Sequence, residues 1–138
     1  MEGYMSEKSE KKIILAIDDD PLHLESLVFL LVPTYDLRVV NSAVDAIKDI
    51  EHILPDLILL DIEMPHMSGF EFLHTIKKNP KFMSVPVVIV SGHNTEKFVT
   101  HAQKSGASGV VAKPVDSKDL FQKINYAFET PISNFLGL

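Results

Sequence analysis

Five short apolar runs alternate with five stretches of helical period, and this alternation restricts the fold more than any other feature of the chain. The runs, at 12–17, 37–40, 56–60, 86–90 and 109–112, are rich in Val, Ile and Leu and short enough for buried strands. Between them, apolar residues recur at helical spacing. They are Leu24, Leu27, Val28 and Leu31; then Ala43, Ile47, Ile50 and Leu54; then Phe72, Leu73 and Ile76. Phe98, Val99 and Ala102 mark a fourth helix over 94–105, the thinnest in apolar surface, and Leu120, Phe121, Ile124 and Phe128 mark the last. Punctuation agrees. Asp20-Pro21 reads as N-cap and first helical residue, and Ser42 with Asp45 as an approximate capping box. Ser68 with Glu71 is a capping box, Gly106 a helix stop and Asp116 a further N-cap. Alternating strands and helices predict an α/β fold with a parallel sheet covered on both faces and right-handed crossovers.

With 138 residues there is room for one domain, expected over 11–130. Residues 1–10 read as a disordered leader and 131–138 as a tail or linker stub. No cysteine is present, which excludes disulfides and thiolate metal sites. No apolar run reaches the roughly 20 residues of a membrane span, and no apolar signal segment opens the chain, so a cytoplasmic protein is expected. A net charge of −6 disfavours direct nucleic-acid binding.

In a parallel α/β sheet, ligands bind outside the carboxyl ends of the strands. Those ends carry Asp18-Asp19-Asp20, Asn41, Asp61, Ser91 and Lys113. Asp20 is accounted for by its helix cap. Asp18, Asp19 and Asp61 would crowd carboxylates on one edge, where two charges about 4 Å apart repel by about 4 kcal/mol at an effective dielectric near 20. A cation relieves this, and hard oxygen ligands suit Mg²⁺ with water retained. Lys113 can pair with a carboxylate or phosphoryl oxygen, and the Ser91 hydroxyl can donate to one. Singly, Lys113 reads as a surface lysine and Ser91-Gly92 as a turn; the set carries the argument.

Asp18-Asp19 after an apolar strand, Asp61 followed by Met64-Pro65 and Gly69, Ser91, and Lys113-Pro114 together resemble the receiver domain of bacterial response regulators, of the chemotaxis-regulator type. The resemblance runs over 11–129. It implies a flavodoxin-like, doubly wound three-layer sandwich with strand order 2-1-3-4-5. It implies that Asp61 accepts a phosphoryl group from the phosphohistidine of a sensor histidine kinase or phosphotransfer protein. Mg²⁺, or Mn²⁺ in its place, would be held by Asp19, Asp61 and the Glu63 carbonyl directly and by Asp18 through water. Ser91 and Lys113 would contact the phosphoryl group, and Lys113-Pro114 would be cis. Glu63 and His93 would tune self-hydrolysis. Such a domain phosphorylates and dephosphorylates itself without being a conventional enzyme. Its partners would be the kinase, an output protein or effector domain and, in the phosphorylated state, a second copy.

One departure concerns the switch. Many receivers carry Tyr or Phe three residues before the lysine, and this chain has Val110. Ser91 for threonine is a common exchange, and Gly92 is read as a small residue that keeps the site open. A degenerate receiver that only binds a partner is the alternative, against which the complete acidic set argues. A small Mg²⁺-dependent phosphohydrolase is a third reading, with little chain left for a lid. His23, His52, His66, His74 and His101 read as ordinary surface or packing residues, and His93 as the one nearest the pocket. Met64 and Met67 read as packing, and Phe98, Val110 and Phe121 as core or ordinary surface.

Overall fold

The structure is a computed structural model and describes residues 11–130. The expected leader at 1–10 and tail at 131–138 lie outside the described residues. In chain order the elements are β1 (Ile13–Ile17), α1 (Pro21–Leu31), β2 (Asp36–Val40), α2 (Ala43–Ile53) and β3 (Leu57–Asp61). α3 (Gly69–Lys78), β4 (Val87–Ser91), α4 (Glu96–Lys104), β5 (Gly109–Ala112) and α5 (Ser117–Glu129) follow. All strand pairs are parallel, in the order β2-β1-β3-β4-β5.

Burial explains the continuous apolar runs. Every residue of β3 and β4 is buried, as both faces of a central parallel strand must be. One face of the sheet packs with α2, α3 and α4 around Leu15, Ile58, Leu60, Phe72 and Ile89. The other packs with α1 and α5 around Ile14, Leu27, Leu57, Val88 and Ile124. Complete burial of a side chain such as Phe72 is worth about 1.5–3 kcal/mol. β2 forms one edge, and there Arg38 makes a two-point ion pair with Asp36 at 2.9 and 3.1 Å.

Capping fixes where helices start. Asp20 accepts from Leu22 N with Pro21 in the first turn, Ser42 accepts from Asp45 N, and Asp116 accepts from Asp119 N. The Ser68–Glu71 capping box is complete in both directions. Lys77, at the end of α3, donates to the carbonyls of Met83 (3.1 Å) and Val85 (2.8 Å) in the approach to β4. Burial pushes its ammonium down to about 8.

Three sequence expectations are corrected. Leu54 does not belong to the buried face of α2: it is its C-cap, at φ 52°, and 53% exposed. The left-handed turn that ends the helix swings it out of the apolar stripe. Val28 is 40% exposed, because α1 buries a narrow stripe of Leu27 and Leu31 against the sheet. The fourth helix is capped by Thr95, whose hydroxyl accepts from Phe98 N, so residue 94 precedes it. Four of the five strand starts differ from the expected ones by a single residue, and β5 starts at 109 as expected.

Candidate functional site

Parallel register carries the site residues to one end of the sheet. Ile17 pairs with Leu60, Asp61 with Val90 and Ser91 with Ala112, so Asp18, Asp61, Ser91 and Lys113 leave their strands together. Asp18 N also bonds Val40 O, prolonging the ladder into the first acidic residue. One carboxylate oxygen from each of Asp18, Asp19 and Asp61 lies within 4.8 Å of the others. Asp18 is 2% and Asp61 3% exposed, whereas Asp19 faces solvent. Two buried carboxylates and one open one, all hard oxygen donors, fit a small divalent cation approached from solvent.

Lys113 holds the pair from the β5 side. Its ammonium lies 3.1 Å from Asp61 Oδ1 and 3.9 Å from Asp18 Oδ2. Glu63 N donates to the same Asp61 oxygen at 3.3 Å. The Lys113–Pro114 peptide is cis, as the resemblance implies. Burial, then the charge of Asp18, pushes the Asp61 carboxyl above its ordinary value, and Lys113 and Glu63 N offset this only in part. For Asp18, burial also pushes upward, but hydrogen bonds from His23 and Asp20 N, with the Lys113 charge, outweigh it and hold the carboxyl below its usual range.

Ser91 is buried at the end of β4, and its Oγ accepts from His93 N at 3.0 Å. The hydroxyl hydrogen can therefore still be directed elsewhere. Glu63 and His93 meet across the mouth of the site, with His93 Nε2 2.8 Å from Glu63 Oε2. Gly69 opens α3 directly over the end of β3: a Cβ there would come 2.5 Å from Asp61 O and 2.7 Å from Ile62 Cα. At Gly92 a Cβ would meet nothing within 4 Å, so packing does not require glycine there. Val110 is a buried core residue beside Ile89. Aromatic contacts are found instead at α3 and α4, where Phe98 stands 5.9 Å from both Phe70 and His93, and Phe70 4.8 Å from His101, between ring centroids.

One site neighbour, by sequence alone, reads as an ordinary residue. His23, in the first turn of α1, sets its Nδ1 against Asp18 Oδ2. Helical side chains lean toward the helix N-terminus, so a third-position side chain overhangs the strand end before it. That position, three residues after the cap Asp20, is the signal that could have found it. Asn41 follows the edge strand β2 and lines a separate depression with Leu24, Val40 and Asp45.

Residues 14–125 match the response regulator receiver domain, and the chain belongs to that family. It is 36% identical over 121 residues to the nitrate/nitrite response regulator protein NarL of Escherichia coli (strain K12), covering 86% of this chain and 55% of that protein. The chain spans from 20% to 55% of the length of curated relatives it matches. Among solved structures, the CheY-like receiver domain protein from Methanospirillum hungatei JF-1 superposes with a TM-score of 0.77 at 28% identity, over 87% of this chain and 95% of that one. The Mn²⁺-bound form of response regulator Rcp1 superposes at 0.69 with 25% identity, over 82% and 88%. Among the described residues no helix is long and apolar enough to cross a membrane.

Proposed function

We propose that Asp61 is the phospho-acceptor of a Mg²⁺-dependent signalling switch. The observation that carries this is the meeting of Asp18, Asp19 and Asp61 within 4.8 Å, with Lys113 3.1 Å from Asp61. A carboxylate oxygen of Asp61 attacks the phosphorus of a phosphohistidine in line. The new O–P bond forms as the P–N bond breaks, and the electron pair stays on the imidazole nitrogen of the kinase or phosphotransfer protein. Among the described residues both donors on Asp61 address Oδ1, which holds the carboxylate in one orientation for attack. Positioning and charge neutralisation supply most of the catalysis in such transfers. Asp19, Asp61 and the Glu63 carbonyl, with Asp18 through water, would hold Mg²⁺ or Mn²⁺, which supplies positive charge for the phosphoryl oxygens.

Phosphorylation adds charge and acceptors beside Ser91 and Lys113. Ser91 then donates to a phosphoryl oxygen and draws the 92–95 loop inward. α4 responds, because Ala102 is its single buried residue. With Val110 at the usual aromatic position, the Phe98–Phe70 contact carries the change in place of a ring rotation in β5. The exposed Glu63–His93 pair screens Asp61 from water and sets the rate of self-hydrolysis. The responding surface engages an output protein, an attached effector domain or a second copy, in the cytoplasm.

The test is incubation with acetyl phosphate and Mg²⁺. Wild type should gain an acid-stable, base-labile acyl phosphate, and Asp61→Asn should gain none. A wild-type chain that stays unlabelled, or a label that survives in Asp61→Asn, would overturn the assignment.

A further inference from the structure

We infer that His23 is a positioning residue for the metal site, acting through Asp18. The inference rests on the metal-dependent reading above. Asp18 has two carboxylate oxygens and each meets a fixed donor: Oδ1 receives Asp20 N at 2.9 Å, and Oδ2 receives His23 Nδ1. A carboxylate only accepts, so the Nδ1 of this pair carries the hydrogen. One donor comes from the loop after β1 and the other from the first turn of α1. Together they fix the plane of the carboxylate, which a single donor would leave free to rotate.

Lys113 is the competing influence. Its ammonium is 3.9 Å from the same Oδ2 and 3.1 Å from Asp61 Oδ1. Without His23, Asp18 is free to turn toward the lysine and pair with it. The cation would then meet a carboxylate already neutralised and pointed elsewhere. His23 therefore keeps Asp18 available to the cation and keeps Lys113 for Asp61. Partners of this kind orient metal-binding groups, and their removal typically lowers metal affinity by about 10–100-fold.

His23 is costly as a packing residue, which argues against a purely structural part. Its side chain is 14% exposed, and its Nε2 is buried without a hydrogen-bond partner among the described residues. A buried polar atom left unpaired destabilises, so leucine at this place, a better helix former of similar bulk, should serve packing as well or better. Packing and positioning therefore give opposite expectations for one substitution.

The experiment is Mn²⁺ titration of the full chain, followed by electron paramagnetic resonance of the free ion, with Mg²⁺ as competitor. Wild type, His23→Leu and His23→Asn are compared, with urea unfolding of each. The amide nitrogen of asparagine sits as many bonds from Cβ as Nδ1 does. His23→Leu should keep or raise the unfolding midpoint while its Mn²⁺ dissociation constant rises about tenfold. His23→Asn should restore most of the affinity. Equal Mn²⁺ affinity in wild type and His23→Leu would overturn the inference and leave the metal reading standing. Loss of affinity in His23→Leu without recovery in His23→Asn would overturn it too, as would a fall in affinity that simply tracks lost stability. A wild-type chain that binds no Mn²⁺ would remove the metal reading and this inference together.

Discussion

α3 and α4 lie on the same face of the sheet, each following a strand that ends in a site residue, yet they are held very differently. α3 follows Asp61, has a complete capping box and buries Gly69, Phe72, Leu73 and Ile76. α4 follows Ser91, has a one-way cap at Thr95 and buries Ala102 alone, with Phe98 and Val99 half-covered. Both are short, at 10 and 9 residues, so neither would be stable alone and tertiary packing decides which is firmly docked. Asp61, the proposed acceptor, thus stands beside a firmly docked element and the Ser91 hydroxyl beside a loose one. A switch needs that asymmetry, since a ligand shifts only those elements whose alternative arrangements lie close in free energy.

The sharpest way to break the comparison is to truncate one ring in each helix. Phe72→Ala should destabilise by about 3–5 kcal/mol in urea unfolding, and Phe98→Ala by less than half of that. Equal losses would mean that α4 is docked as firmly as α3.

A matched glycine pair sharpens the anchor. Gly69→Ala drives a methyl into the backbone of Asp61 and Ile62 and should cost about 1–3 kcal/mol. Gly92→Ala, facing open space, should leave the urea midpoint close to wild type. A tolerated alanine at 69 would show that α3 can lift away from the end of β3.

Thr95→Ala removes the cap of α4 and should cost about 1 kcal/mol. Amide hydrogen exchange should speed up through 96–104 with little change in 69–78. Beryllofluoride with Mg²⁺ on wild type should alter protection over 91–105 and 110–113. A response confined to the acidic residues would leave α4 without a part in the switch.

Lys77 reports on the far end of α3 through pH. Its native value, about 8, lies below the ordinary 10.5, so between these limits the unfolded chain binds more protons than the native one. Stability should therefore climb as pH rises from about 8 to 10.5, and the climb should flatten in Lys77→Met. The same slope in the variant would assign the effect to other groups.

The smallest effect on stability is expected at the mouth of the site. Glu63 and His93 are both mostly exposed, and such pairs contribute about 0–1 kcal/mol. Glu63→Ala and His93→Ala should leave unfolding almost unchanged while altering the decay of the acyl phosphate. Identical decay in both variants and wild type would remove the pair from rate control.

Most of the architecture was readable because the sheet is parallel and buried on both faces. Short continuous runs such as 57–60 suit strands buried on both faces, and caps at Asp20, Ser42, Ser68 and Asp116 mark the helices between them. The acidic pair and Lys113 were readable from the rule that strand ends line the ligand crevice. Leu54 and Val28 were misplaced because periodicity gives the direction of a stripe and neither its width nor the residue at which the helix turns left-handed. His23 was missed for a different reason. Its partner lies across a strand-to-helix turn, where neither the period of 2 nor that of 3.6 relates two side chains.

The ion pair on β2 bears on how the protein behaves when concentrated. β2 is an edge of the sheet, and an edge offers unpaired backbone groups to any second extended chain. Arg38 and Asp36 set a fixed pair of opposite charges along that border, beside a half-exposed valine, Val39. A second β2 brought alongside would have to strip water from both charges before its backbone could pair. As a half-exposed pair they contribute about 0–1 kcal/mol to the monomer, and charge on an open edge disfavours the addition of a further strand.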